Sequence, residues 1–373
     1  MSDLESSPAL APIAQRAAAP ATLPGITAGG LGWRPATIDD APALLELRNA
    51  VAEADAEPYR EVLGEITDLF EAPWRHFDTD SLLGVDADGV LRAYGVVESL
   101  PGDTRTVRVM LLGGVHPQRR GEGIGRELFA WQVARGRQVL ASCGRELPAR
   151  LAVFAEDDGP AAKVRMFARA GFTDRRFYAD LRRDLRDLVA EPLPDIEPDG
   201  LRLVRFGPEH DEATRLAHND AFRDHWGSEP HTPAQWTNGR TELVPHWSVV
   251  VVDDAPDVAA LLADPDTDAE TAASLRAGEP LVVAYALNER FDADFAVRGY
   301  SFGYTGILGT RRAYRGRRAA PAALVAGLRA MAADGMEFGC LGVDTANPTG
   351  AHGLYARLGY TRAYGSRMLS IEL

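Results

Sequence analysis

One order of elements is written twice in this sequence, and that repetition limits the possible folds more than any composition figure does. Ala93-Tyr94-Gly95-Val96-Val97-Glu98 lines up with Ala284-Tyr285-Ala286-Leu287-Asn288-Glu289, and Gly114 to Gly125 lines up without gaps on Gly309 to Ala320. Met166 to Phe172 (MFARAGF) lines up on Leu354 to Tyr360 (LYARLGY). The offsets differ by a few residues, as loop insertions between equivalent elements would produce. At roughly 150 residues per domain, the 373 residues make about two domains, each able to bury its own core. Between the copies, Ala190 to Gly200 mixes prolines with acids, the composition of a linker. The expected layout is therefore a flexible Ala/Pro-rich tail over 1–32, a first domain over 33–189, a linker over 190–200 and a second domain over 201–373.

Within the first copy, Thr37 to Asp40 offers N-cap residues before Leu44, Leu47 and Val51 at near-helical spacing. Strands over 81–85 and 90–97 flank the turn Asp86-Ala87-Asp88-Gly89. A strand over 106–115, a Gly-rich break over 120–125, a helix to about 140, a strand over 151–155 and a helix over 161–170 capped by Gly171 follow. The second copy predicts strands over 201–206, 246–252, 281–287 and 304–309, and helices over 209–222 and 321–333. Its acidic, Ala-rich segment Asp253 to Glu279 lies between two strands and reads as a surface excursion.

Charge narrows the partners. Forty Lys and Arg against 54 Asp and Glu leave a formal net charge of −14, which opposes binding to nucleic acid or an anionic membrane. Cys143 and Cys340 are too few for a disulfide framework or a zinc site, and read as core thiols. No run reaches the roughly 18 apolar residues of a membrane span, and Asp3 and Glu5 stand where a signal peptide would carry bases. The expected location is the cytoplasm.

The break Val115-His116-Pro117-Gln118-Arg119-Arg120-Gly121-Glu122-Gly123-Ile124-Gly125 sits between a strand and a helix. Glycines there let backbone approach a diphosphate, and the helix N-terminus offers unpaired N–H groups and positive partial charge. The spacing differs from the G-x-G-x-x-G of dinucleotide-binding oxidoreductases, and no G-K-S or G-K-T of a P-loop occurs.

Arg120-Gly121-Glu122-Gly123-Ile124-Gly125 resembles the R/Q-x-x-G-x-G/A loop with which the GCN5-related N-acetyltransferases (GNATs) hold the pyrophosphate of acetyl-CoA. In the second copy Val343 to Tyr360, with Asn347 and Leu354-Tyr355, resembles the family's other motif, a strand, an Asn and a helix ending Leu-Tyr-x-x-x-Gly-aromatic. Both motifs occur in the same order twice, a tandem layout like that of mycothiol synthase. The resemblance implies an α+β fold of two tandem domains, each a mixed, mostly antiparallel sheet flanked by helices. It also implies acetyl-CoA as donor, no metal, and direct transfer of the acetyl group to an amine of a small acceptor in a ternary complex.

Carried onto this sequence, the resemblance implies cofactor contacts at Val115, Arg120, Gly121, Glu122, Gly123, Ile124 and Gly125 in the first copy. In the second it implies them at Leu308, Gly309, Thr310, Arg315, Gly316, Arg317, Arg318, Ala319, Ala320 and Asn347. Each copy departs from the pattern. The first has Phe167 where the family has Tyr, and Asp157-Asp158-Gly159-Pro160 where the Asn belongs; the second has Arg318 at the first key glycine. The Tyr favours the second copy as the catalytic one, with Tyr355 as the acid that protonates the leaving thiolate. Glu289, matched by Glu98, is either the general base or a solvated strand-end residue. His218, Asn219, His225 and Trp226 are expected to contact the acceptor, or else to belong to an amphipathic helix with solvated histidines; the spacing His218 to His225 does not suit a helical zinc pair. Arg311, Arg312, Arg315, Arg317 and Arg318 form a basic cluster suited to CoA phosphates. Two alternatives stay open: a non-catalytic acyl-CoA sensor or interaction protein, and, on the tandem layout alone, a mycothiol-pathway acetyltransferase.

Overall fold

The structure is a computed structural model that describes residues 10–346 and 351–373, the side chains of 351 and 352 excepted. Its strands are β1 (Gly32–Arg34), β2 (Ser81–Val85), β3 (Leu91–Ser99), β4 (Val107–Val115), β5 (Ala149–Glu156), β6 (Thr173–Asp184), β7 (Arg202–Arg205), β8 (Val249–Asp253), β9 (Leu281–Glu289), β10 (Phe302–Thr310), β11 (Phe338–Asp344) and β12 (Thr361–Glu372). Two units form. The first holds the chain up to Glu57, Glu61–Arg175 and Arg367–Leu373; the second holds Pro58–Arg60 and Arg176–Ser366.

In the first unit β1, β2, β3 and β4 pair antiparallel in that order, and β4 pairs with β5 in parallel. The end of β12 follows, with backbone bonds of 2.8 Å in both directions between Ala149 and Leu373. The helix Ile124–Ser142 lays Leu128, Trp131, Gln132 and Leu140 on the sheet. Gln132 donates from one amide nitrogen to the carbonyls of Val96 (3.1 Å) and Leu112 (2.6 Å), so its polar head is satisfied where water is excluded.

The tail expectation needs correction from residue 10 onward. Ile13 and Ala17 are 1% and 0% exposed and share a core with Trp131 and Leu140, while Leu23 and Ile26 pack against it. The helix Ile13–Arg16 is only one turn long, so its apolar face is too short to register as a period, and the prolines around it hold extended chain that packs.

In the second unit the order is β6, β11, β10, β9, β8, β7, antiparallel except for β10 with β11. The helix Ala319–Ala333 buries Leu324, Leu328 and Met331 completely, one face of the predicted helix. The division is not the contiguous one expected from the linker. Most of β6, although it precedes the linker, belongs to the second unit, because Tyr178 to Asp184 pair residue for residue with Asp344 to Phe338 of β11. The linker itself has no regular structure, and Leu193 and Ile196 pack on the second unit's core. The excursion between β8 and β9 forms two short helices, Val258–Ala263 and Ala269–Ala277, and Thr271, Ala272 and Leu275 of the latter are buried.

The repeat has a packing cause. Tyr94 faces Gly114 across β3 and β4, and Tyr285 faces Gly309 across β9 and β10. A Cβ on Gly114 would lie 2.8 Å from the Tyr94 ring, and one on Gly309 would collide with the Tyr285 hydroxyl. Both glycines are needed because a tyrosine ring lies across them.

Among the described residues no helix is long and apolar enough to cross a membrane, and no group of three or more His, Cys, Asp or Glu is arranged to hold a metal.

Candidate functional site

In each unit the central parallel strands part company. β4 pairs with β5 only from Val107 to Met110, although β4 runs on to Val115. β10 pairs with β11 only from Phe302 to Thr305 and runs on to Thr310. The Arg311 amide donates to Val283 at 2.8 Å, which fixes the alternation along β10. The backbone groups of Gly309 then face β9, while those of Leu308 and Thr310 turn to the side that β11 has left. In the first unit the His116 amide donates to Arg92 at 2.8 Å, so Val115 turns away from β3 in the same sense.

Each open strand leads into a loop of the same backbone shape. Gly121 and Gly123 have φ of 85° and 88°, and Gly316 and Arg318 have 83° and 57°. Arg318 thus holds the left-handed conformation that its glycine counterpart adopts without cost; for a side-chain-bearing residue the cost is about 1–2 kcal/mol. The amides of Gly121 to Gly125 and of Gly316 to Ala320 have no acceptor among the described residues. Two rows of bare N–H groups at helix N-termini are what an anion such as a diphosphate requires.

The arginines read as a basic cluster suited to CoA phosphates are engaged within the chain. Arg312 pairs with Asp266 at 2.8 Å, Arg315 with Asp224 at 2.9 Å, Arg318 with Asp199, and Arg317 donates to the Asp199 carbonyl at 2.8 Å. Arg311 turns back to the Val282 carbonyl at 2.8 Å. In the first unit Arg120 pairs with Asp55 at 2.6 Å, Arg119 pairs with Glu122 at 2.8 Å, and Glu127 accepts the amides of Thr27 (2.8 Å) and Ala28 (2.9 Å). The backbone, more than the arginines, presents positive charge to a ligand.

The units differ at the point where the strands separate. Between β3 and β4 the register runs unbroken, and Glu98 is held by Arg75 at 2.8 Å. Between β9 and β10 it slips between Thr305 and Ile307, which makes Gly306 a bulge residue. Gly306 is exposed, and a Cβ there would stand 2.6 Å from a Glu289 carboxylate oxygen. The carboxylate therefore lies directly over the bulge, on the strand that then opens.

Tyr355, on the helix Ala351–Arg357, is 8% exposed and meets Tyr360 edge to face at 5.7 Å. It belongs to one apolar cluster with Leu324 and Val343, against which Leu308 also packs. Burial pushes its phenol up to about 12, so it keeps its proton and is a hydrogen-bond donor at neutral pH. Phe167 is its counterpart in the first unit, 5% exposed beside Phe129 at 4.9 Å. Asn347 lies outside the described residues.

The expected acceptor contacts divide. His218 is a core residue. It is 6% exposed, bonds the Tyr285 hydroxyl at 2.8 Å and stacks on Phe222 at 4.5 Å, and burial lowers its pKa to about 3. A helix residue facing the sheet could not stay charged there, so His218 belongs to the packed face of the helix and neither contacts an acceptor nor is solvated. Asn219 clamps the backbone of His231, accepting at 2.8 Å and donating at 3.1 Å. His225 and Trp226 are half-buried. His225 bonds Ser228 at 3.2 Å, and Trp226 lies under the Arg176 guanidinium at 4.1 Å. Arg176 reaches Asp344, at the end of β11, at 3.8 Å, so Trp226 stands by the mouth where β11 has diverged. Trp236 and Trp247 are core residues, 3% and 0% exposed. Gly306 escaped the sequence reading, although a glycine inside a strand is a bulge signal.

Comparison with solved structures defines the class: this is the fold of the GCN5-related N-acetyltransferases, in tandem. The chain is similar to a GCN5-related N-acetyltransferase from Sphaerobacter thermophilus at 24% identity and TM-score 0.61, with 94% of this chain and 97% of that one covered. It is similar to a tandem GNAT protein from the clavulanic acid biosynthesis pathway at 18% identity and TM-score 0.62, covering 92% and 98%. Saccharomyces cerevisiae N-myristoyltransferase, solved with bound myristoyl-CoA, is similar at 12% identity and TM-score 0.58, covering 98% and 85%. No family model matches the sequence, and no curated protein matches it.

Proposed function

We propose that the protein moves an acyl group from an acyl-CoA, acetyl-CoA in the narrow form of the reading, to the amine of a small acceptor, with the second unit doing the chemistry. The observation that carries this is the broken register at Gly306 beneath the Glu289 carboxylate, at the point where β10 loses its neighbour. Solved relatives of this fold, one of them holding myristoyl-CoA, support a CoA thioester as donor without fixing the acyl group.

In this reading the bare amides of Gly316 to Ala320 hold the diphosphate, and Leu308 and Thr310 offer strand hydrogen bonds to the extended arm of the donor. Glu289 takes the proton of the attacking ammonium, directly or through one water. The new C–N bond forms as the C–S bond breaks, and backbone N–H groups released at the bulge face the developing oxyanion. The Tyr355 phenol, protonated at working pH, donates to the departing thiolate. Trp226 and His225 border the acceptor side.

The test combines calorimetric titration of acetyl-CoA with a thiol-release assay over a panel of small amines. Ala320→Glu should remove one binding event, Gly123→Glu another, and Glu289→Gln should lower turnover on the order of 10²-fold or more while leaving acetyl-CoA binding intact. Tyr355→Phe should lower turnover with unchanged donor affinity. Loss of binding in Gly123→Glu alone would refute the assignment to the second unit. A sensor is the second reading, favoured by Phe167 and by the internally paired arginines; it requires acetyl-CoA binding with no thiol release, and no effect of Tyr355→Phe.

A further inference from the structure

Independently of acyl transfer, the second unit contains a cleft of about 260 Å³ built by the end of the helix Asp211–Ala221, the excursion between β8 and β9, and the end of β10. Its floor is Arg311, 6% exposed, whose Nε donates to the Val282 carbonyl at 2.8 Å. The terminal nitrogens of Arg311 have no hydrogen-bond acceptor among the described residues and open on the cleft. Asp220 and Asp268 attract this guanidinium without bonding it, and burial lowers its pKa. The terminal nitrogens are not orphaned buried donors; they reach the cleft, where their N–H groups are available to an acceptor that enters it.

The remaining walls limit what that is. Arg311 and Arg312 face four aspartates, 220, 264, 266 and 268, so the cleft is acidic overall and a simple anion is repelled. Most of those carboxylates have internal work. Asp220 accepts the Arg312 amide at 2.9 Å, Asp266 pairs with the Arg312 side chain at 2.8 Å, and Asp268 caps the helix Ala269–Ala277 through Thr271 at 2.8 Å. Asp264 uses one oxygen for the Asp266 amide at 2.9 Å; its other oxygen has no partner among the described residues and stands at the exposed rim. Leu261, Leu275 and Leu281 supply an apolar side. A ligand that fits carries one carboxylate, one ammonium and a small aliphatic group. The volume lies below the roughly 300–1,000 Å³ of drug-sized pockets.

We propose that this cleft binds a free α-amino acid with an aliphatic side chain, its carboxylate on Arg311, its ammonium at the aspartate rim and its side chain against the leucines. The guanidinium fork matches a carboxylate, and each charge-assisted contact is worth about tenfold or more in affinity.

Calorimetric titration of L-leucine, leucine methyl ester and N-acetyl-leucine into the full chain tests it. The expected result is saturable binding of leucine, with each capped form at least about tenfold weaker. Asp264→Asn, at the exposed rim and away from Glu289 and Tyr355, should weaken leucine severalfold and leave acetyl-CoA binding unchanged, which separates this cleft from any acceptor site. Arg311→Met should abolish leucine binding; should it fail to fold, Asp264→Asn carries the mutational arm. Equal binding of leucine and its methyl ester, an unchanged affinity in Asp264→Asn, or no saturable heat with leucine overturns the proposal. Acetyl-CoA titrated into the same samples reports the acyl-transfer reading separately.

Discussion

His218 reached the core because its neighbours in space, not in sequence, decide its state. Its ring is enclosed by Phe222, Trp236, His231 and Tyr285, and the motif around it, a run of polar and aromatic residues, looks the same whether the histidines face water or the sheet. Its folded pKa of about 3 lies below the ordinary 6.5, so the unfolded chain takes up a proton before the folded one does. The stability this contributes is complete above about pH 6.5 and is lost as pH falls from there toward about 3, at about 1.4 kcal/mol per pH unit. Thermal unfolding measured from about pH 8 to about pH 4 should therefore show a falling midpoint in acid. His218→Gln, which keeps an acceptor for Tyr285, should flatten that fall. An unchanged slope would mean that His218 is hydrated in solution. Other residues were legible from sequence because their chemistry is local: Gly123 and Gly316 occupy left-handed positions at the loop, and Tyr355 sits one turn before Gly359 in a helix-ending motif.

At the scale of the element, the loop between open strand and helix is the best-read part of the molecule. The gap-free alignment of Gly114–Gly125 on Gly309–Ala320 predicts equal backbone shape, and the dihedral angles agree although a glycine has become Arg318. What sequence could not show is where the arginine charges go. Asp224 and Asp199 lie 91 and 119 residues from their partners Arg315 and Arg318, beyond the reach of any local pattern. The two loops should consequently respond differently to substitution. Gly123→Ala should destabilise the first unit by about 1 kcal/mol through the left-handed backbone alone, since the new Cβ would meet only Arg126 at 3.4 Å and Ala28 at 3.6 Å. Arg318→Gly removes a strained residue and an exposed ion pair worth about 0–1 kcal/mol, so it should be neutral within about 1 kcal/mol. Urea midpoints for the two variants check the contrast, and equal losses would show that the Arg318 ion pair outweighs its strain.

For the whole molecule, the repeat predicted two copies but not how the chain is apportioned between them. A linker is recognised by composition, whereas unit membership follows the strand ladders. The first unit accordingly takes Arg367–Leu373 from the far end of the chain. That segment is structural: Leu369 is 2% exposed in the first unit's core, Leu373 exchanges backbone bonds with Ala149, and Glu372 pairs with the buried Arg150 at 2.6 Å. Removing residues 367–373 takes Glu372 away from the buried Arg150 and Leu369 out of the core along β5. The loss from the core alone typically costs about 2–5 kcal/mol. Truncation after Ser366 should therefore unfold or loosen the first unit, seen as early amide exchange over 149–155 and loss of the acetyl-CoA binding event that Gly123→Glu removes. The binding event sensitive to Ala320→Glu should survive, because the loop, strand and helix that form it all lie within Arg176–Ser366. Simultaneous loss of both events would show that the units do not fold independently of each other.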